Sequence, residues 1–403
     1  MIKNKKIKTS SVLGFLLFLI NPFITLIYSS FYFIKNKNCI TPLALSISLI
    51  FIYQPLMYDT STNFFTTQYG ELNNLYNIIP FKLKQTFNID YFYSILFYTA
   101  IIFYCWLTVI SSFAKKDNTS LNINILFLVA FFSIIYRDIM DLNRFYLSIS
   151  ISFYYILYIR NEKKQTSMLL MFFFCLLSFF IHSFSAIIYL TFFLRKIIKK
   201  NQLYLYYFLI CLFIGVFANN IIQDIISNIN IAGFSLPKAY FSDGGWGRNE
   251  YSSLTLMRKL LECTIILNLF ILAFFYKKKN KYNDSVLNLL MLLCGLCLLF
   301  FSYKTFFERT FIILCLFSIY YFSLPSKNSW LKYSLILLII LRFFIINSIR
   351  YGDIFFYGHT DVIPNTSEKI DLQLKPFYYP TLFLLDIDNG YSDEFINKNS
   401  IWK

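Results

Sequence analysis

The sequence predicts an all-α polytopic integral membrane protein with about 11–13 membrane helices or half-helices. Apolar runs of about 18 residues or more recur along the 403-residue chain. Only 14% of residues are charged, against roughly 25% in soluble domains. The basic residues gather in short linkers between the runs, which is how cytoplasmic loops are marked. That clustering also accounts for the net charge of +16, and no basic helix with interleaved aromatics points to nucleic acid. A closed β-barrel needs alternating apolar and polar strands, and these runs do not alternate.

In chain order the apolar runs are 11–34, 39–57, 91–113, 121–136, 142–159, 167–194, 203–218, 260–276, 285–302, 310–323 and 331–349. The Lys-rich start Met1–Ser10 precedes a run with Asn21-Pro22 and no small-residue cleavage site, so it reads as a retained membrane segment. Lys35/Lys37, Lys115/Lys116, Arg160/Lys163/Lys164, Arg195/Lys196/Lys199/Lys200, Lys277–Lys279 with Lys281, and Lys327/Lys332 mark cytoplasmic linkers. Residues 167–194 have basic clusters at both ends, so a single crossing conflicts with the charge rule. As one helix they would also span about 42 Å, against a hydrocarbon core of roughly 30 Å. Two short arms meeting near His182-Ser183 resolve both conflicts. Residues 11–34 pose the same problem, and Asn21-Pro22 makes them either a hairpin or one kinked span.

With those breaks, the long polar segments 58–90, 219–259 and 350–403 fall on one outer face of a single membrane domain, together with 137–141 and 303–309. The tail carries eight acidic residues against five basic ones. The eight cysteines lie in or beside apolar runs. Cys294 and Cys297 have CxxC spacing, but their apolar flanks and the lack of a second pair argue against a metal or redox site.

Tyr136–Ser148 places Arg137, Asp138, Asp141 and Arg144 between apolar runs, where charges are costly without a partner, a substrate or water. The outer face also collects Asp59, His182, Arg248, Arg258, Glu308 and Arg309. Arg binds phosphate and diphosphate through a planar fork of donors. Several Arg, one His and no acidic cluster suit an anionic lipid-linked phosphate without a metal or cofactor. The plainer readings are ion pairs of Arg137 and Arg144 with Asp138 and Asp141, a hydrogen-bonded packing role for His182, and helix-end snorkelling for Arg258.

The order of features resembles a known family. Pro55-Leu-Met-Tyr58-Asp59-Thr60 with Phe64, Phe65 and Tyr69 is followed by Asn143-Arg144-Phe-Tyr-Leu147. Ile181-His182-Ser183-Phe184-Ser185-Ala186 and Glu308-Arg309 come next. This pattern is similar to the EpsG-like branch of the O-antigen and exopolysaccharide polymerases of the Wzy type, with Ser148 where Ala is usual after the Arg motif. The resemblance implies a GT-C-like glycosyltransferase of the bacterial inner membrane. It would move a growing glycan from undecaprenyl diphosphate to the next lipid-linked repeat unit at the periplasmic face, beside a flippase and a chain-length regulator. It further implies His182 or Asp59 as the base and Arg144, Arg309 and Arg137 as diphosphate ligands, with Arg248 and Arg258 as further candidates. No cofactor or metal is implied. The rival readings are an O-antigen ligase, an oligosaccharide flippase or transporter, and a membrane acyltransferase. A transporter would show repeat symmetry between its halves, and none is visible.

Overall fold

The structure is a computed structural model. It describes residues 9–53, 58–70, 74–116, 123–134, 136–160, 168–198, 200–217, 253–280, 285–324, 329–357, 374–385 and 393–394. Among the described residues there are helices and no strand. Each of the eleven apolar runs coincides with one or two helices. Those long and apolar enough to cross a membrane are Tyr91–Ala114, Leu256–Lys277, Lys304–Ser323 and Trp330–Ser348, and several shorter apolar helices accompany them. The chain is therefore an all-α membrane protein. It divides into two compact units, the first of residues 1–127, 135–186 and 347–403, the second of 128–134 and 187–346.

The first unit begins with a hairpin of α1 (Thr9–Ile20) and α2 (Pro22–Asn36). A Cβ added at Gly14 would meet the Ser29 hydroxyl at 3.3 Å, and the Cys39 thiol reaches the Ser10 carbonyl at 3.2 Å, so the arms fold back on each other. This settles 11–34 as a hairpin. The turn is buried and capped. The Asn21 carbonyl oxygen Oδ1 accepts the Phe23 and Ile24 N–H groups at 2.8 and 3.0 Å, and Pro22 has no N–H to satisfy. The Asn21 amide also donates to the Tyr379 carbonyl at 2.8 Å, while Thr381 bonds to Phe18 and Tyr53 to Leu384. Residues 374–385, with the short helix Thr381–Leu384, are thus fastened over the hairpin turn.

Next come α3 (Ile40–Ile52), the short α4 (Tyr58–Gln68) and α5 (Leu75–Phe87), then α6 (Tyr91–Lys116). The polar segment 58–90 is therefore largely helical. α7 (Ile123–Phe132) and the single turn of α8 (Tyr136–Asp141) lead into α9 (Asn143–Tyr154), which continues as a π-helical turn, Tyr155–Ile159. α9 runs parallel to α6, with Asn143 beside Thr99 and Tyr146 beside Trp106. α10 (Met168–Ile181) returns antiparallel to α9: the Ser152 and Ser178 hydroxyls bond at 3.0 Å and Tyr155 stacks on Phe174. One end of this unit accordingly carries Ser10, Lys37, Ala114 and Arg160, and the opposite end carries Asn21, Asp59, Tyr91, Asp141, His182 and the docked tail.

The second unit contains α11 (Ala186–Ile197), α12 (Asn201–Phe217), α13 (Ser253–Asn280), α14 (Ser285–Leu299), α15 (Lys304–Ser323) and most of α16 (Ser329–Tyr357). α12 and α14 approach so closely that a Cβ at Gly215 would lie 1.9 Å from the Leu298 carbonyl oxygen, so only glycine fits there. The basic linkers sort to one end here as well. Lys277 bonds to Asn288 at 2.6 Å over the Tyr204 ring, whereas Lys259 bonds to the Phe301 carbonyl at 2.7 Å at the far end of the same helix.

Replacing Asn21 with Ala removes both cap bonds and the bond to Tyr379. A helix cap is worth about 1 kcal/mol, so Asn21→Ala should lower the thermal midpoint of the purified protein. It should also speed amide exchange across 374–385, and unchanged exchange there would mean that other contacts hold the tail.

Candidate functional site

Two of the sequence motifs meet at one end of the first unit. The Asp59 N–H, in the first turn of α4, donates to Asp141 Oδ1 at 3.1 Å, and the Thr60 hydroxyl donates to the Met140 carbonyl. Asp141 thereby places a carboxylate at a helix N-terminus, where the helix dipole favours negative charge. The loop motif carrying Asp59 is thus pinned to the turn that precedes Arg144. The Asn63 amide closes back on the Asp59 carbonyl at 2.7 Å.

Arg144 heads α9 and is half-buried. Its neighbour Asn143 is buried in a polar network that fixes the head of the helix. The Tyr76 hydroxyl donates to Asn143 Oδ1 at 3.1 Å, the Asn143 amide donates to Thr99 Oγ1 at 3.0 Å, and the Tyr98 hydroxyl donates to the Tyr76 carbonyl at 3.0 Å. Burial, with the Tyr91 and Tyr98 phenols beside it, pushes the Tyr76 phenol well above its ordinary value, and the Arg144 charge acts in the opposite sense. The guanidinium therefore lies near neutral phenols, and its charge also bears on Tyr91.

His182 ends α10. Its backbone is extended (φ −154°, ψ 115°), and its ring packs edge-on against Phe145, the residue after Arg144, at 5.5 Å. Its Nδ1 accepts the Phe184 N–H at 3.2 Å. A neutral imidazole that accepts at Nδ1 carries its proton on Nε2, so His182 presents an N–H donor from a fixed ring. The break expected at His182-Ser183 lies at this residue, between arms of 14 and 12 residues.

Asp59, Asp141, Arg144 and His182 thus share one end of the first unit. Arg137 lies on α8, but its side chain is outside the described residues, as is Arg248 altogether. Arg258 and Arg309 belong to the second unit. There, Arg258 spends Nε on Glu262 at 3.3 Å and Nη1 on Glu308 at 3.0 Å, and Arg342 Nε meets the same Glu262 oxygen at 3.0 Å. The Arg342 guanidinium also lies over the Phe311 ring at 4.7 Å. Glu262 and Arg342 are 1% and 3% exposed, so this is an internally neutralised structural cluster. Sequence reasoning missed both, along with Tyr76, Tyr98 and Thr99. A charge in the middle of an apolar run was the available signal for Arg342, and one near the start of a run for Glu262. Nothing in the spacing marks the tyrosines.

A helical membrane protein that gathers Arg, His and carboxylate groups at one end of a bundle, away from its basic linkers, is the class that fold and site define. A profile of the EpsG family matches residues 53–360, well over half of the chain, and the chain belongs to that family. Membership carries a role in the polymerisation step of polysaccharide biosynthesis. No curated protein and no solved structure matches the chain. The matched segment includes Asp59, Arg144, His182 and Arg309, while the α1–α2 hairpin and residues 374–394 lie outside it.

Tyr76→Phe leaves the Asn143 carbonyl without its buried donor, at a cost of about 1–3 kcal/mol. The purified variant should unfold at a lower temperature than wild type. A midpoint equal to that of wild type would remove the network from the account of how Arg144 is held.

Proposed function

We propose that this protein polymerises lipid-linked oligosaccharide repeat units of an O-antigen or related surface polysaccharide. The donor is the growing glycan on undecaprenyl diphosphate, the acceptor is a hydroxyl of the next repeat unit, and the site faces the periplasm of a bacterial inner membrane. The observation that carries this reading is the convergence of an anchored Arg144, an Nε2–H of His182 and the Asp59 turn at one end of the first unit. The basic helix ends of that unit lie opposite, as expected if they face the cytoplasm.

In this reaction the bond between the anomeric carbon and the phosphate oxygen breaks, and the lipid diphosphate leaves with the electron pair. Arg144 supplies charge and a fork of donors where negative charge grows. Because the cap bond occupies Nδ1, His182 serves better as a donor to the diphosphate or to a sugar oxygen than as the base. Asp59 is then the group that takes the acceptor proton as the new glycosidic bond forms. Arg137, Arg248, Arg258 and Arg309 are not needed in this description. A GT-C-like architecture, a flippase and a chain-length regulator fit the same reading.

Deletion of the gene should leave lipid A-core carrying one repeat unit on a gel of surface polysaccharide. Loss of all repeats would point instead to a ligase or flippase. Arg144→Ala should reduce chain extension by about 10²–10³-fold, the usual cost of one oxyanion donor. His182→Ala should reduce it as well, with protein levels unchanged. Wild-type ladders from both variants would return these residues to structural roles. Alkaline phosphatase fused after Lys403 should be active, and an inactive fusion would reverse the assignment of sides.

A further inference from the structure

A cavity of about 280 Å³ opens in the first unit where α4, α5 and the start of α6 meet the tail. Its walls combine two kinds of surface. Phe64, Phe81 and Tyr91 give it aromatic faces, with Phe64 and Tyr91 edge to face at 5.4 Å. Gln68 and Gln85, both exposed, bring amide groups to its rim. Tyr91 adds a buried hydroxyl that makes no hydrogen bond of good geometry.

Asp393 closes the cavity from the tail. Its Oδ1 accepts the Tyr91 N–H at 3.1 Å and its Oδ2 meets Lys84 Nζ at 3.2 Å. Lys84 also binds Asp90. Burial works against the Lys84 ammonium, but these two carboxylates outweigh it and raise its pKa. Burial raises the Asp393 carboxyl in turn, despite the Tyr91 and Lys84 bonds. One ammonium faces two carboxylates, so the surroundings repel an anion such as a phosphate or a uronic acid.

Aromatic faces suit the C–H face of a pyranose, and amides and carboxylates suit its ring hydroxyls. The volume is about nine times the ~30 Å³ share of one water molecule, which is room for one or two sugar rings. Asp59 and Gln68 stand at opposite ends of α4, roughly 14 Å apart at 1.5 Å per residue. Phe64, five residues from Asp59, and Tyr91, which feels the Arg144 charge, form the near wall, so the cavity runs from the reacting end outward along α4.

We propose that the cavity between α4, α5 and the tail residue Asp393 is a glycan subsite for a neutral or amino sugar, adjoining the diphosphate end of the site. This deepens the polymerase reading and rests on it for the identity of the glycan. The cavity joins residues within the family match to a tail residue beyond it, which would let one member of the family select its own repeat unit. Binding energy from a sugar outside the reacting bond contributes to positioning at the reacting centre.

The test uses the full chain in nanodiscs and, as probe, an oligosaccharide obtained by partial acid hydrolysis of the host's mature surface polysaccharide. Titration is followed by saturation-transfer NMR. Gln85→Ala and Phe81→Ala should each weaken binding by about tenfold, the loss expected for one hydrogen-bonding or stacking partner. Gln85 is exposed, so its variant folds even where Phe81→Ala does not. Inorganic pyrophosphate should not displace the probe. Wild-type binding by the Gln85 variant, or displacement by pyrophosphate, overturns the subsite. An unchanged polysaccharide ladder in the deletion strain overturns the polymerase reading alone, because the binding titration does not depend on it.

Discussion

Wherever a helix is interrupted at membrane depth, the N–H groups exposed by the break must be satisfied from inside the protein. The first unit meets this constraint at five helix starts or turns with a side-chain acceptor, while α3 and α9 begin without one. Asn21 closes the turn between α1 and α2, and Asn74 closes the start of α5. His182 closes the turn after α10, and Asp141 and Asp393 close the starts of α4 and α6 from elsewhere in the chain. The last two are long-range, so capping and tertiary assembly are here the same interaction. Asp59 and Tyr91 stand where they do because distant carboxylates hold their backbones.

Paired charges support the fold of the second unit. Glu262 sits between two arginines with almost no exposure, and removing it would leave the buried Arg342 without its carboxylate while Arg258 keeps Glu308, a loss of about 3–5 kcal/mol in comparable buried pairs. Arg258 is held on two sides by that arrangement. Arg144 is held differently. Its neighbour Asn143 is fixed by a neutral network, and the half-buried guanidinium lies near the Tyr76 and Tyr91 phenols.

Much of the architecture was legible in the amino-acid order because the bilayer simplifies the problem. Apolar length marked the helices, and the conflict of basic clusters at both ends of 11–34 and 167–194 revealed the breaks at Asn21 and His182. The resemblance to the EpsG family was readable from Asn143-Arg144, His182 and Glu308-Arg309. What stayed hidden depends on pairs distant in sequence. The polar appearance of 58–90 gave no sign that it folds as α4 and α5, since a short helix lying over a bundle lacks a strong apolar stripe. The tail read as a loose acidic segment, yet Asp393 lies 302 residues from the backbone group it caps. His182 was legible as a functional candidate, but its tautomer required the Phe184 N–H to be seen.

The fastening of the tail over the first hairpin has a consequence in time. The Asn21 amide and its acceptor at Tyr379 are 358 residues apart. At about 5–20 residues per second of synthesis, some tens of seconds pass between emergence of the hairpin and arrival of its partner. During that interval the hairpin turn has its own caps but a bare outer surface. The nascent protein therefore stays open at that end of the first unit until residues 374–385 have been made. A ribosome that stalls before residue 374 would hold a chain with that end uncovered.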